Sequence, residues 1–204
     1  MALDTEVEIC NAALLRAGIT RRIENLSDSN TEADACEAEY EAVRDMLLEE
    51  HNWQFCVKYD TLANDASDPE WYWDYQYTLP NDFVTMLNLE GEEIRYELTE
   101  DGKLMTNESS PLKIRYIAQE TDVTRFPQLF KQALVAKLAA HLAMALTKDL
   151  KRVDYLESRY DRLIADARFS DSGRRSYQPL DSSTFIDARS VGPEVVDSEG
   201  DLNS

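Results

Sequence analysis

The sequence predicts an α+β chain: a mainly α-helical bundle of about four helices with a small inserted antiparallel β subdomain and an extended C-terminal arm. Three observations predict it. Apolar residues recur at helical spacing near both ends of the stretch before Ser170, alternating aromatic and aliphatic runs broken by turn residues lie between them, and periodicity vanishes after Ser170. The corresponding segments are 1–58 for the first helices of the bundle, 59–120 for the β-rich insertion, 121–169 for a helical hairpin and 170–204 for the arm.

The first helix is expected from about Asp4 to Ala17, because Val7, Cys10, Leu14 and Ala17 share one face. Asp4 or Thr5 can cap it, and Gly18 supplies a left-handed stop. A second helix follows the connector ITRRIENLSDSN, with Ser29 and Glu32 or Thr31 and Asp34 as capping-box pairs. Its stripe is Ala33, Cys36, Tyr40, Val43 and Leu47, ending near Glu50. From His51 to about Ala118 the pattern becomes that of strands: Trp53, Phe55, Val57 and Tyr59 alternate, and NDASDPE leads into WYWDYQYTLP. Short segments at Phe83–Leu89, Ile94–Leu98, Lys103–Thr106 and Leu112–Ile117 are separated by Gly91, Asp101-Gly102 and Ser110-Pro111, and EDGKL reads as a hairpin turn.

Helical pattern returns at Phe126-Pro127 and runs to about Thr147. Its alanines allow close helix approach, while Leu134, Leu138, Leu142 and Leu146 form the apolar ridge. A fourth helix, about Asp149 to Phe169, carries Val153, Leu156, Tyr160, Leu163 and Ala167 and closes an αα-hairpin. The core is expected to end before Ser170, so deleting residues 170–204 should leave the bundle folded. Beyond that point Arg174, Arg175, Tyr177, Phe185 and Arg189 are the candidate interface residues of the arm, since aromatic and Arg side chains concentrate binding energy.

Forty acidic residues against twenty-one Lys and Arg give a formal charge of −19, which argues against a surface that binds DNA by neutralising phosphates. That charge serves solubility, or keeps a surface from adhering to DNA, and composition alone does not choose. Cys10, Cys36 and Cys56 are an odd set without C-x-x-C spacing, expected as small buried hydrophobes of a protein made in a reducing cytosol. MALDTEVEIC has no basic region followed by an apolar run, and no stretch of about 18 wholly apolar residues occurs, so no membrane association is expected.

Chemistry-bearing motifs are sparse. There is no phosphate loop, nucleophile elbow, H-E-x-x-H or dinucleotide fingerprint, and His51 and His141 are the only two histidines. His141 is expected as a packed structural residue, and His51 as a favourable charge at the end of the second helix. DSNTEADACEAE from Asp28 places acids or amides at several calcium-loop positions, but Ala33 stands where the sharp turn needs glycine, so a capped helix start is the better reading. No catalytic residue, cofactor or metal is expected. Paired carboxylates for glycoside hydrolysis have no sequence signature, which keeps a virion-borne polysaccharide or peptidoglycan hydrolase as the alternative.

EICNAALLRAGI, a loop with LSD, A-x-A-C-x-x-x-Y-x-x-x-R-D-x-L-L and HNWQF follow one another through the first quarter of the chain. Y-x-Y-x-L-P-x-D-F at Tyr75 to Phe83, LKIRYI at Leu112 to Ile117, F-P-x-L-F-x-x-A-L and an L-A-x-x-L-A pattern from Leu138 come next, and DSSTFIDAR at Asp181 to Arg189 closes the series. In this order the motifs resemble the tail tubular protein A, or head-to-tail adaptor, family of short-tailed bacteriophages. The likeness spans roughly residues 5 to 170, and the run after Gly192 departs from it. The resemblance implies a structural subunit made in the host cytoplasm and carried in the virion. Its copies, twelve in most relatives, would form a ring between the portal protein and the tail nozzle protein. Double-stranded DNA would pass through the lumen without sequence-specific binding, kept from adhering by carboxylates. A scaffolding factor that leaves the particle is the third reading.

Overall fold

The computed structural model describes residues 3–69, 71–91 and 94–173. The first helix, α1 (Glu6–Ala17), starts on a capping box: Thr5 Oγ1 accepts the Glu8 N–H at 3.2 Å, and Glu8 Oε2 accepts the Thr5 N–H at 3.2 Å. Gly18, at φ 90°, ends it in the left-handed region that favours glycine. Asn11 closes the following loop, since its buried amide both donates to the Ile23 carbonyl and accepts the Ile23 N–H, each at 2.9 Å. α2 (Thr31–Glu49) is capped by Asn30, whose Oδ1 accepts the Ala33 N–H at 3.0 Å. This corrects the expected Ser29 or Thr31 cap. Asn30 is the last extended residue before the helix, whereas Thr31 is already helical and Ser29 stands one residue too early.

α3 (Gln128–Leu142) follows Pro127 and is the axis of the bundle, packed by α1, α2 and α4 (Leu150–Ser172). Phe130, Leu134, Leu138 and Leu142 are fully buried, with Ala133, Ala136, Ala139 and Ala140 between them. With the turn after it, α3 is long and apolar enough to cross a membrane by length and composition, yet those apolar side chains are taken up by the core. The helix does not continue regularly to Thr147 as expected. Residues Ala143–Thr147 form a π turn, because Thr147 Oγ1 occupies the Ala143 carbonyl at 2.7 Å and the Lys148 N–H reaches the same oxygen at 2.9 Å. Lys148, at φ 54°, then reverses the chain, and Asp149 Oδ1 caps α4 through the Arg152 N–H at 3.2 Å. α4 runs past the expected stop near Phe169, because Asp171 belongs to the core's polar lining. The folded bundle therefore extends beyond Ser170.

Between the helical pairs lie two three-stranded antiparallel sheets. One has the order β1 (Val57–Leu62), β6 (Leu112–Ala118), β3 (Phe83–Leu89), and the other β2 (Tyr75–Thr78), β5 (Lys103–Thr106), β4 (Tyr96–Leu98). The β4–β5 hairpin turns through Gly102 at φ 76°, as EDGKL predicts. The alternation expected from Trp53 begins as strand only at Val57. Gln54–Cys56 is a single 3₁₀ turn, closed by the Cys56 N–H on the Trp53 carbonyl at 3.1 Å, and it turns the adjacent Phe55 and Cys56 toward the same helical core, which consecutive strand residues, on opposite faces, could not do. The first sheet has a hydrophobic cluster on each side. Leu112, Ile114 and Tyr116 of β6 join Tyr77 and Leu104 of the second sheet, while Ile117, Val57, Val84 and Leu87 join the helical core.

Lys58 Nζ bonds Asp82 Oδ2 at 2.6 Å and the Tyr116 hydroxyl donates to Asp82 Oδ1 at 3.1 Å, tying β1, β3 and β6 together at one corner. The Lys58 hydrogen bond, followed by that from Tyr116, holds the Asp82 carboxyl below the usual carboxylate range, and burial pushes Tyr116 up to about 12. A folded-state value below the unfolded one means that the stabilisation is present above the unfolded value of about 4 and is lost as pH falls through the depressed folded value. Thermal midpoints measured between about pH 5 and pH 2 should therefore fall less steeply in Asp82→Asn than in the parent. Parallel curves would remove Asp82 from the acid response.

All three cysteines are buried and free. The neighbouring Cys36 thiol, together with burial, pushes the Cys10 thiol well above its ordinary range and keeps it protonated.

Candidate interaction surfaces

The predicted arm residues Arg174, Arg175, Tyr177, Phe185 and Arg189 lie outside the described residues. The point from which that segment departs is well defined. Asp171, 3 % exposed, accepts the Gln54 N–H with both carboxyl oxygens at 3.1 Å. His51 Nε2 stands 3.4 Å from Asp171 Oδ2 without hydrogen-bond alignment, and its ring meets Trp53 edge-on at 4.9 Å. Tyr160 and Arg168 of α4 both reach Glu50 Oε2, at 2.8 and 2.6 Å, so the C-terminal turns of α4 are pinned to the end of α2. Beside this joint a cleft of about 420 Å³ opens between Trp53, the first turn of α3 and Ala167 to Asp171 of α4.

Neither histidine sits in a catalytic constellation among the described residues. His141 Nδ1 lies 2.9 Å from Glu39 Oε2, joining α3 to α2. The candidate calcium segment is used locally: Asp28 Oδ2 accepts the N–H groups of Glu24 and Asn25 at 2.9 and 3.1 Å, and Asn30 caps α2. Among the described residues no group of three or more His, Cys, Asp or Glu side chains could hold a metal ion.

What the chain does offer is exposed side chains of the types that bind other proteins. At the edge of the second sheet, Trp71 is 87 % exposed at φ 61°, Tyr72 is exposed beside it, and Trp73 donates through Nε1 to Glu97 at 3.0 Å. Tyr96 and Leu98 of β4 are exposed there too. The outer face of α4 carries Arg152, Tyr155, Arg159 and Arg162, followed by exposed Asp166 and by Phe169, which is 83 % exposed. The outer face of α2 carries Asp34, Glu37 and Glu41 around exposed Ala38 and Ala42. Apolar periodicity points to both helices through their buried stripes alone. The opposite stripes recur at the same spacing in the sequence, and their signal is the excess of acids on α2 and of arginines on α4.

No protein-family model matches the chain, and no curated protein does.

Proposed function

We propose that the chain is a structural, non-catalytic subunit of a bacteriophage particle: a head-to-tail adaptor that forms a ring between portal and tail nozzle and leaves a channel for DNA. One observation carries the reading, the order of the adaptor-like motifs along the chain, several of which coincide with elements of the fold. EICNAALLRAGI is α1 with its stop, and A-x-A-C-x-x-x-Y-x-x-x-R-D-x-L-L is α2. LKIRYI makes most of β6, and F-P-x-L-F-x-x-A-L opens α3. The motifs have packing reasons: Asn11 clamps the loop at Ile23, Cys36 and Tyr40 line the core, and Trp53 of HNWQF fills its end. A subunit whose distinctive residues serve packing, and whose exposed aromatic and charged faces point away from the core, suits assembly better than turnover. Portal, nozzle and neighbouring copies are the partners in this reading, and DNA passes without sequence-specific contact.

Quantitative mass spectrometry of purified virions tests it. The chain should be present at a stoichiometry close to that of the portal, and electron microscopy should place it at the vertex where the tail attaches. Virions that lack it would overturn the reading.

A further inference from the structure

Two exposed helical stripes of this acidic chain are opposite in charge. Along α4, Arg152, Tyr155, Arg159 and Arg162 follow at spacings of three, four and three residues, which keeps them on one side of the helix. Arg159 and Arg162 have no ion-pair partner among the described residues, and Arg152 has only Asp149 at 3.7 Å. Arg16 of α1 lies alongside, and the Arg159 charge, after burial, holds its guanidinium below the usual value, so like charges are crowded here. An isolated fold gains nothing from that crowding, whereas an anionic partner would relieve it.

Along α2, Asp34, Glu37 and Glu41 are exposed without ion-pair partners among the described residues, and partly exposed Asp45 extends the row. Arg44, the helix's one cation, is buried and pairs with Asp45 at 2.8 Å, which leaves Asp34, Glu37 and Glu41 as the acids of this face without an ion-pair partner among the described residues. The stripes match in length: at about 1.5 Å per residue, Arg152 to Arg162 covers about 15 Å and Asp34 to Asp45 about 16 Å. They also match in relief, because Ala38 and Ala42 leave a shallow path in which the Tyr155 ring can lie between flanking acids and arginines.

We infer that the Arg152–Arg162 face of α4 docks on the Asp34–Asp45 face of α2 in a second copy of this chain. The inference deepens the adaptor reading and rests on it for its biological setting. Because the two faces differ, the contact is heterologous: each pair leaves one free face of each kind, which is the condition for growth into a ring.

Sedimentation velocity of the full chain at low salt, over a range of concentrations, tests it with charge-swapped variants. R159E/R162E and E37K/E41K should each weaken self-association by about a hundredfold or more, because each sets like charges against one another. Mixed in equal amounts the two variants should associate again, since each then presents the face the other needs. R159Q/R162Q should give an intermediate loss, and all positions are exposed, so thermal midpoints should hold steady. Variants that associate like the parent, a mixture that stays monomeric, or a parent that is monomeric at every concentration would each overturn the docking. So would a response to R159E/R162E confined to a concentration-independent change in monomer shape, which would assign the α4 face to the chain's own acidic C-terminal segment. Virion stoichiometry decides the adaptor reading separately, so portal-like abundance with unaffected variants removes only the docking faces.

Discussion

Trp53→Ala is expected to cost about 4 kcal/mol of folding stability, in the range for removing a large aromatic side chain from a packed core. Trp53 is fully buried, its ring lies 5.1 Å from that of Phe130 in a T-shaped pair and 5.8 Å from that of Phe55, and Nε1 donates to the Leu47 carbonyl at 2.8 Å. Three effects combine on truncation. A cavity opens where α2, α3 and the first sheet converge, the edge-to-face contact is lost, and the carbonyl near the end of α2 loses its donor. Urea unfolding followed by far-UV circular dichroism measures the sum. Trp53→Phe separates the parts: it retains most of the ring volume and loses the donor, so about 1–2 kcal/mol is expected. A loss below about 1 kcal/mol for Trp53→Ala would show that the aromatic cluster is not the keystone of the core.

Truncation at two neighbouring points should give opposite results. A chain ending at Gly173 keeps every described contact of the helical core, so its unfolding midpoint should match that of the full chain. A chain ending at Phe169 loses Asp171, whose carboxyl satisfies the partly buried Gln54 N–H, and should be less stable by about 1–3 kcal/mol. Chemical denaturation of the two proteins side by side tests this, and equal midpoints would deny Asp171 its role. In the particle, the chain ending at Gly173 lacks Arg174, Arg175, Tyr177, Phe185 and Arg189. Its incorporation should drop by tenfold or more if those residues anchor it to the portal or to neighbours, and normal incorporation would show the arm assignment to be wrong.

Local features were legible in the residues. The helical stripes, the left-handed stop at Gly18, the EDGKL hairpin and the limits of β3 and β5 depend on neighbours a few positions away, and spacing exposes such neighbours. What escaped were decisions made across the chain. Trp53 and Phe55 alternate like strand residues, yet the distant helical core takes up Cys56 as well as Phe55, and burying two adjacent side chains on one side needs a turn. The end of α4 depends on Gln54, and the break after Leu142 depends on one hydroxyl competing for the Ala143 carbonyl. Asn30 escaped because three adjacent residues could all cap, and only the backbone decides which is extended. Of the surfaces, the arm could be named from composition, whereas the stripes on α2 and α4 became candidates only once the fold showed which sides of those helices stay uncovered.

The central strand of the first sheet answers to two interiors at once, with Tyr116 turned toward one and the adjacent Ile117 toward the other. One extra residue anywhere along Leu112–Ala118 would exchange those allegiances and present Lys113 and Arg115 to an apolar interior. Length changes in this strand are therefore tolerable only in pairs, whereas the crossing from Leu62 to Tyr75 has no such parity to keep. Divergence among related chains should accumulate in that crossing and leave the strand's length untouched.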